Sequence, residues 1–396
     1  MGAGPDLHLS RTGWSALNTV AEDPGLSTRL LASGRTAFNS MWSSIAAAQR
    51  VVRIETYIWK AGIVADRFLE ELHAAAARGV RVEILVDAFG SERLGPAYFR
   101  SLQGAGARVV WFNQSRYFRG SFRNHRKLMT VDGHLAIVGG LNIGDEYDGD
   151  GIATGWRDFA VELRGPIVAS LDSSMDQMFQ LAGFTPMAVA RFARRYLRHH
   201  DVDRHSTGLL LSGPGTRSGR LQRVIRSDLA AGRELSAYAA YLLPTWQIRR
   251  AMRAVARRGR VRLITGAQSD VPLVRWAAQR LYPFWLRGGV ALYEYQPQIV
   301  HAKLIVLDDV VYAGSANLDI RSLRINYELM VRIPSRSLAE QVRQVFDGDL
   351  TRSERIDPAE WGRHRRWWQS LRSLWAYLLL VRLDPFLAGR GLRRPS

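Results

Sequence analysis

Two segments of this sequence carry the same reactive pair at the same spacing. His125 stands two residues before Lys127, with Asp132 five residues further on; His301 stands two before Lys303, with Asp308 again five further on. Each segment then runs through an apolar stretch into a small-residue turn and an asparagine, Gly139-Gly140-Leu141-Asn142 in the first and Gly314-Ser315-Ala316-Asn317 in the second. In an extended strand residues i and i+2 share a face, so each pair presents an imidazole beside a fixed positive charge. That is a nucleophile or proton carrier next to a cation. The chain has 55 Lys plus Arg, yet only three lysines, Lys60, Lys127 and Lys303. Arginine holds every other cationic position, so keeping lysine in both motifs marks a need for a compact ammonium.

The elements that must position these pairs also repeat. "VVRIETYIWKAG" reads as a buried strand, "VADRFLEELHAAAARG" as an amphipathic helix and "VRVEILVDAFGS" as a second strand; "LSAYAAYLLPTW", "QIRRAMRAVARRG" and "RVRLITGAQSD" give the same order later. Each copy continues through a helix and a short strand ("ARVVWFNQ"; "GVALYEYQ") into its histidine motif. A repeat of this kind predicts a duplicated α/β protein with parallel βαβ units in each half. The expected organisation is an N-terminal arm over 1–29, a first lobe over 30–200, a second over 201–350 and a basic, Trp-rich tail over 351–396. The seam falls in the polar segment 191–208.

A length of 396 residues with 47% apolar and 23% charged residues describes a folded globular chain. No cysteine is present, which excludes disulfides and thiolate metal sites. The net charge of +19 points to an anionic partner, nucleic acid or an anionic membrane. The N-terminus has neither the basic region nor the apolar stretch of a signal peptide, Asp6 breaks the myristoylation pattern, and no run of 18 apolar residues occurs. A soluble or peripherally attached protein is expected. In the tail, Trp367, Leu371, Leu374, Trp375 and Leu378 share a helical face flanked by Arg366, Arg372 and Arg382. Such a stripe serves either a membrane interface or packing on the protein's own core.

The duplicated H-x-K-x-x-x-x-D motif resembles the HKD signature of the phospholipase D superfamily, over about residues 30 to 335. "HRKLMTVDGHLAIVGGLNIGDEY", "GWRDFAVELRGPIV" and "GSANLDIRSLRINYEL" are similar to stretches of bacterial cardiolipin synthases, here of the short form without N-terminal transmembrane helices. The resemblance implies two tandem lobes, each a mixed β-sheet flanked by helices, related by a pseudo-twofold axis with the active site at their interface. It implies transfer of a phosphatidyl group from phosphatidylglycerol to a second phosphatidylglycerol, or else hydrolysis by the same machinery. His125 would be the nucleophile and His301 the acid, although the two motifs by themselves are symmetric. Lys127 and Lys303 would neutralise the phosphate, Asn142 and Asn317 would donate amides, and Gly140 and Ser315 would allow close approach. No cofactor and no metal is expected. The partner would be an anionic phospholipid membrane rather than nucleic acid, at the inner membrane of a bacterium on its cytoplasmic face.

The remaining acids divide. Asp132 and Asp308 complete the motif and belong by signature to the catalytic set, but five residues past lysine they fall on the opposite strand face, where bracing by ion pairs is the natural role. Better partners for the imidazoles are Asp158 in "GWRDFAVEL" and Glu328 in "INYELMVRI", at corresponding strand starts 33 and 27 residues after their histidines. Asp148-x-Asp150-Gly151 matches part of a calcium loop, but Arg157 stands where the closing glutamate should be, so a solvated loop is expected. His199, His200 and His205 read as exposed linker residues. The loop "WFNQSRYFRGSFRN" mixes Arg116, Arg119 and Arg123 with Tyr117, Phe118 and Phe122. It could meet lipid head groups, stack bases or be an ordinary surface loop. Glu55 matches a glutamate of the family without an evident task.

Overall fold

The computed structural model describes residues 23, 25–95, 97–114, 122–183, 206–214, 220–361, 363 and 367–383. The N-terminal arm up to residue 22, most of the seam with His199, His200 and His205, the loop residues Arg116, Tyr117, Phe118 and Arg119, and Arg366 lie outside this set.

Seven strands, β1 (Ser27–Leu31), β2 (Val51–Thr56), β3 (Arg81–Asp87), β4 (Arg108–Phe112), β5 (Leu128–Val131), β6 (Leu135–Gly139) and β7 (Ala160–Arg164), form one sheet in the order β1-β7-β6-β5-β2-β3-β4. The second sheet contains β8 (Gly208–Ser212), β9 (Glu234–Tyr238), β10 (Arg260–Gly266), β11 (Ala291–Tyr295), β12 (Leu304–Leu307), β13 (Val310–Gly314), β14 (Glu328–Pro334) and β15 (Ser353–Arg355). Its order is β15-β11-β10-β9-β12-β13-β14-β8. Without β15 this is the first sheet again, strand for strand. The parallel part of each, β2-β3-β4 and β9-β10-β11, is built through crossover helices, Ile63–Ala77 and Trp246–Arg258. β15 pairs with β11, so the second sheet reaches past the boundary expected at residue 350.

β5 and β12 read as unbroken apolar runs because both faces of each sheet are covered, and every residue in both strands is buried. The helices Ile167–Ala182 and Arg336–Leu350 supply much of the cover. Leu171, Met175 and Phe179 of one and Leu338, Val342 and Phe346 of the other join Val138, Val161, Val311 and Val331 in a single apolar cluster. Each such side chain contributes about 1.5–3 kcal/mol on burial, so a core drawn from both halves fixes one lobe against the other.

Backbone hydrogen bonds cross the same boundary. The His125 and Tyr327 amides bond to the carbonyls of Tyr327 and Arg123, each at 2.9 Å; the Arg157 and His301 amides bond to the carbonyls of Ile299 (2.8 Å) and Arg157 (2.9 Å). The segment before each motif histidine is thus stitched to the segment before β14 or β7 of the other lobe. The buried Arg157 adds an ion pair to Asp349 at 2.7 Å, and the Tyr238 hydroxyl donates to the same carboxylate at 2.6 Å.

Asp132 and Asp308 sit at the tips of the β5-β6 and β12-β13 hairpins with φ of +53° and +49°. The Asp132 carboxylate accepts the amides of Gln49, Arg50 and Val51 at 2.7–2.9 Å, and Asp308 accepts those of Arg233 and Glu234 at 2.9–3.2 Å. The expected ion pairs are not what these acids make. Arg50 and Arg343 reach the carbonyl oxygens of Asp132 and Asp308 instead. Each acid ties its hairpin to the start of the neighbouring parallel strand. Among the described residues no helix is long and apolar enough to cross a membrane.

Candidate active site

His125, Arg126 and Lys127 immediately precede β5, and His301, Ala302 and Lys303 immediately precede β12. The stitching described above brings these two segments to one interface between the lobes. Nδ1 of His125 lies 3.0 Å from Oε2 of Glu328, and Nδ1 of His301 lies 2.6 Å from Oδ2 of Asp158. Both acids are fully buried. The sequence spacing set each acid after the histidine of its own half; in the fold each serves the other half.

The surroundings of the two imidazoles differ. The Tyr57 ring lies edge-on to His125 with centroids 4.9 Å apart, and Arg123 donates to the Tyr57 hydroxyl at 3.1 Å. Around His301 stand Tyr147 (5.1 Å between centroids) and Trp156 (5.7 Å), with the Tyr147 hydroxyl 3.4 Å from Nε2. Tyr57, Tyr147 and Trp156 escape a reading of the sequence alone, although the Tyr of "GDEYD" is fixed relative to Asn142. The Asn142 amide donates to the Tyr147 hydroxyl at 2.6 Å and accepts from the Ile58 amide at 3.1 Å, so it orders that tyrosine. Asn317 is buried with its side-chain oxygen unpartnered among the described residues.

Gly140 and Ser315 occupy equivalent positions and serve the acids differently. A Cβ on Gly140 would stand 2.3 Å from Oδ1 of Asp158, so only glycine leaves that carboxylate its place. The Ser315 hydroxyl donates to Glu328 Oε2 at 2.6 Å. Glu55, buried in β2, accepts from Asn124 at 2.7 Å and pairs with Arg126 at 3.1 Å. It holds the two residues that flank His125.

Both motif lysines are buried, 4% exposed each, while Lys60 lies on the surface beside Glu146. Lys127 donates to the His125 carbonyl at 2.7 Å, and Lys303 lies 2.8 Å from Nδ1 of His301. Burial depresses the proton affinity of both ammonium groups, against the pull of Glu328 and Asp158. Burial and then the charges of Lys127 and Lys303 hold His125 well below the ordinary histidine value; burial and Lys303 lower His301, with Asp158 opposing. Burial pushes Glu328 up to about 8. It works against Asp158 too, but Lys303 and His301 outweigh it and keep that carboxyl below its usual range. The two histidine–acid pairs are therefore electrostatically unlike: both imidazoles favour the neutral form, but burial raises Glu328 whereas Asp158 is held ionised beside its ring.

Asp132 and Asp308 are not at this site. Seven residues of extended chain, roughly 20 Å, separate each from its histidine, and their carboxylates are spent on backbone amides. The calcium-like loop is also otherwise engaged: Asp150 accepts the amides of Ile152, Ala153 and Thr154, and Asp148 pairs with Arg35. Among the described residues no group of three His, Asp or Glu side chains is placed to hold a metal ion.

The sequence model described as cardiolipin synthase, PLD-like domain, matches residues 41–147 and 228–350, one span in each lobe. Cardiolipin synthase B of Shigella flexneri is 30% identical over 383 residues, covering 92% of this chain and 90% of that protein. Cardiolipin synthase A of Pseudomonas putida strain W619 is 32% identical over 345 residues, covering 84% and 70%. The phosphatidylserine synthase of Haemophilus influenzae Rd KW20 shares the fold at a TM-score of 0.71, with 14% identity over 91% of this chain and 94% of that one. With its two-lobed α/β fold, this chain belongs to the phospholipase D superfamily and, within it, to the cardiolipin synthase family of phosphatidyltransferases.

Proposed function

We propose that the chain moves a phosphatidyl group from one phosphatidylglycerol to another, releasing glycerol and forming cardiolipin, through a phosphohistidine on His125. The observation that carries this reading is the crossed pair of histidine–acid contacts, which brings two imidazoles and two ammonium groups to one buried interface. With Nδ1 held by Glu328, the Nε2 lone pair of His125 attacks phosphorus. The P–O bond to glycerol breaks, and His301 gives its proton to the departing oxygen. His301 then takes the proton of the second lipid's hydroxyl, whose oxygen attacks phosphorus as the P–N bond breaks and His125 is regenerated. Both imidazoles favour the neutral form, which suits the attacking His125; the ionised Asp158 beside His301 supports the proton that His301 must carry to act as the acid.

Lys127 and Lys303 face the non-bridging oxygens. Burial lowers the proton affinity of both ammonium groups, and a phosphate bound beside them opposes that effect as they position the diester. The partner is an anionic phospholipid surface, reached peripherally at the cytoplasmic face of the bacterial inner membrane. Purified protein given phosphatidylglycerol vesicles should release glycerol and form cardiolipin, with phosphatidic acid a minor product by lipid mass spectrometry. Rapid quenching should leave a phosphoramidate on His125. Phosphatidic acid as the main product would make the chain a hydrolytic phospholipase D.

A further inference from the structure

On the helix Trp367–Leu378 the Trp/Leu stripe is not the side that packs on the protein's own core. Ser373 and Ala376 are buried, and Arg372 lies over the Trp276 ring at 4.2 Å, so this side is clamped onto the helix Pro272–Gln279 of the second lobe. The other side is largely exposed among the described residues. Trp367 is 75% exposed and Trp375 71%, with Leu371, Leu374 and Leu378 exposed between them. Single exposed apolar residues are ordinary, but a row of this length on one helix is an interaction surface.

Two grooves flank that helix. The one on its clamped side contains Glu294, Glu354, Asp357 and Glu360 with Arg275 and Arg372. The one on its exposed side, about 700 Å³, is lined by Pro283, Trp361, Trp367, Ser370, Leu371 and Leu374, with Arg280 its one charged lining residue among the described residues. An apolar trough with a cation at its rim fits an acyl chain beneath an anionic head group.

The duplication supplies an internal control. The helix Ile63–Ala77 carries Asp66, Glu70 and Glu71 against a single arginine, Arg67. Its equivalent in the second lobe, Trp246–Arg258, carries Arg249, Arg250, Arg253, Arg257 and Arg258 and no acid, and begins with Trp246 at 58% exposure. Both helices start at the carboxyl ends of the parallel strands, the end that bears the site, so Trp246 stands at the rim of the interface. The same fold element is acidic in one lobe and wholly basic in the other.

We infer that the second lobe alone docks on an anionic phospholipid bilayer, through the exposed Trp367–Leu378 face and its groove, extended towards the site by Trp246 and the arginines of its helix. Tryptophan and leucine enter the interfacial layer, and arginine meets the head groups. The inference gives an orientation to the membrane partner proposed above and rests on that reading, but its test does not depend on turnover.

Full-length protein should float with phosphatidylglycerol vesicles and bind neutral phosphatidylcholine vesicles at least tenfold more weakly, with the difference shrinking in high salt. Trp367→Ser/Leu371→Ser/Trp375→Ser should weaken phosphatidylglycerol vesicle binding at least tenfold. Its thermal melt should change little, and turnover of detergent-dispersed lipid should be unaltered, because Trp367 and Trp375 are mostly exposed and Leu371 is half exposed. Arg250→Glu/Arg257→Glu should weaken binding, whereas Glu70→Lys/Glu71→Lys in the first lobe should leave it unaltered. Undiminished vesicle binding by the triple variant would overturn the inference, as would a gain in binding from the first-lobe reversal. A triple variant that turns from dimer to monomer while still binding vesicles would assign the face to self-association and equally overturn it. Wild-type protein that docks as described but yields only phosphatidic acid would leave this face standing and remove the synthase reading.

Discussion

Glu328 of the second lobe holds Nδ1 of His125 of the first at 3.0 Å, and the relationship is returned by Asp158, which holds His301 at 2.6 Å. Neither lobe carries a braced histidine of its own. Orientation of each imidazole, and with it the chemistry, depends on the two halves being closed on one another.

Glu328→Gln and Asp158→Asn should each lower kcat by about 10–100-fold, the usual cost of losing an orienting partner, while His125→Ala and His301→Ala abolish turnover. The alanine double variant should be no worse than either single one, since in the proposed mechanism nucleophile and acid act as a unit. Steady-state kinetics on phosphatidylglycerol in mixed micelles decides this. Near-normal rates in either alanine variant would exclude the paired mechanism.

Lys127→Arg should be severely impaired although it keeps the charge. The ammonium is buried, donates to the His125 carbonyl at 2.7 Å and lies 5.2 Å from the Tyr57 ring centroid, a space that a planar five-donor guanidinium does not share. Wild-type rates from the arginine variant would remove this explanation for the lysines in an arginine-rich chain.

Stability should fall with pH because of Glu328. Its folded-state value of about 8 lies above the ordinary carboxylate value of 4.5. The unfolded carboxyl therefore loses its proton first as pH rises, and the contribution present below about 4.5 is lost progressively up to about 8. Glu328→Gln lacks this loss. Its melting temperature relative to wild type should improve between pH 5 and pH 8.5, and a gap that does not change with pH would contradict the assignment.

Gly140→Ala should be more damaging than the equivalent change in the second motif, Ser315→Ala. The added methyl would meet both oxygens of Asp158, at 2.3 and 2.6 Å, and that carboxylate is already fixed by His301 and by the Phe159 amide at 2.8 Å. Ser315→Ala, the equivalent site, removes a donor to Glu328 and an acceptor for the Leu329 amide at 3.0 Å. Turnover should drop by about 100-fold or more in the first and by about 10-fold in the second, by analogy with lost second-layer contacts. Equal effects would mean that the two positions do not differ as their contacts indicate.

The sequence by itself determined the duplication, the α/β repeat, the two histidine–lysine pairs and the aromatic stripe of the C-terminal helix. Each of these is written in local spacing: period two aligns His125 with Lys127, and period 3.6 aligns Trp367 with Leu371 and Trp375. Asp132 and Asp308 were ambiguous because spacing gives a strand face but not what covers it; the left-handed hairpin tips turn both carboxylates onto backbone amides. Only the tertiary structure decided which acid meets which histidine. The partners are 203 and 143 residues apart, and nothing in the spacing distinguishes own-lobe from cross-lobe pairing. That choice is made by the apolar core shared between the lobes and by the backbone bonds of Tyr327 and Arg157 across the interface. Packing also clamps one face of the Trp367–Leu378 helix and leaves the other exposed among the described residues, because periodicity marks the apolar face but only the neighbouring helix determines which side is covered.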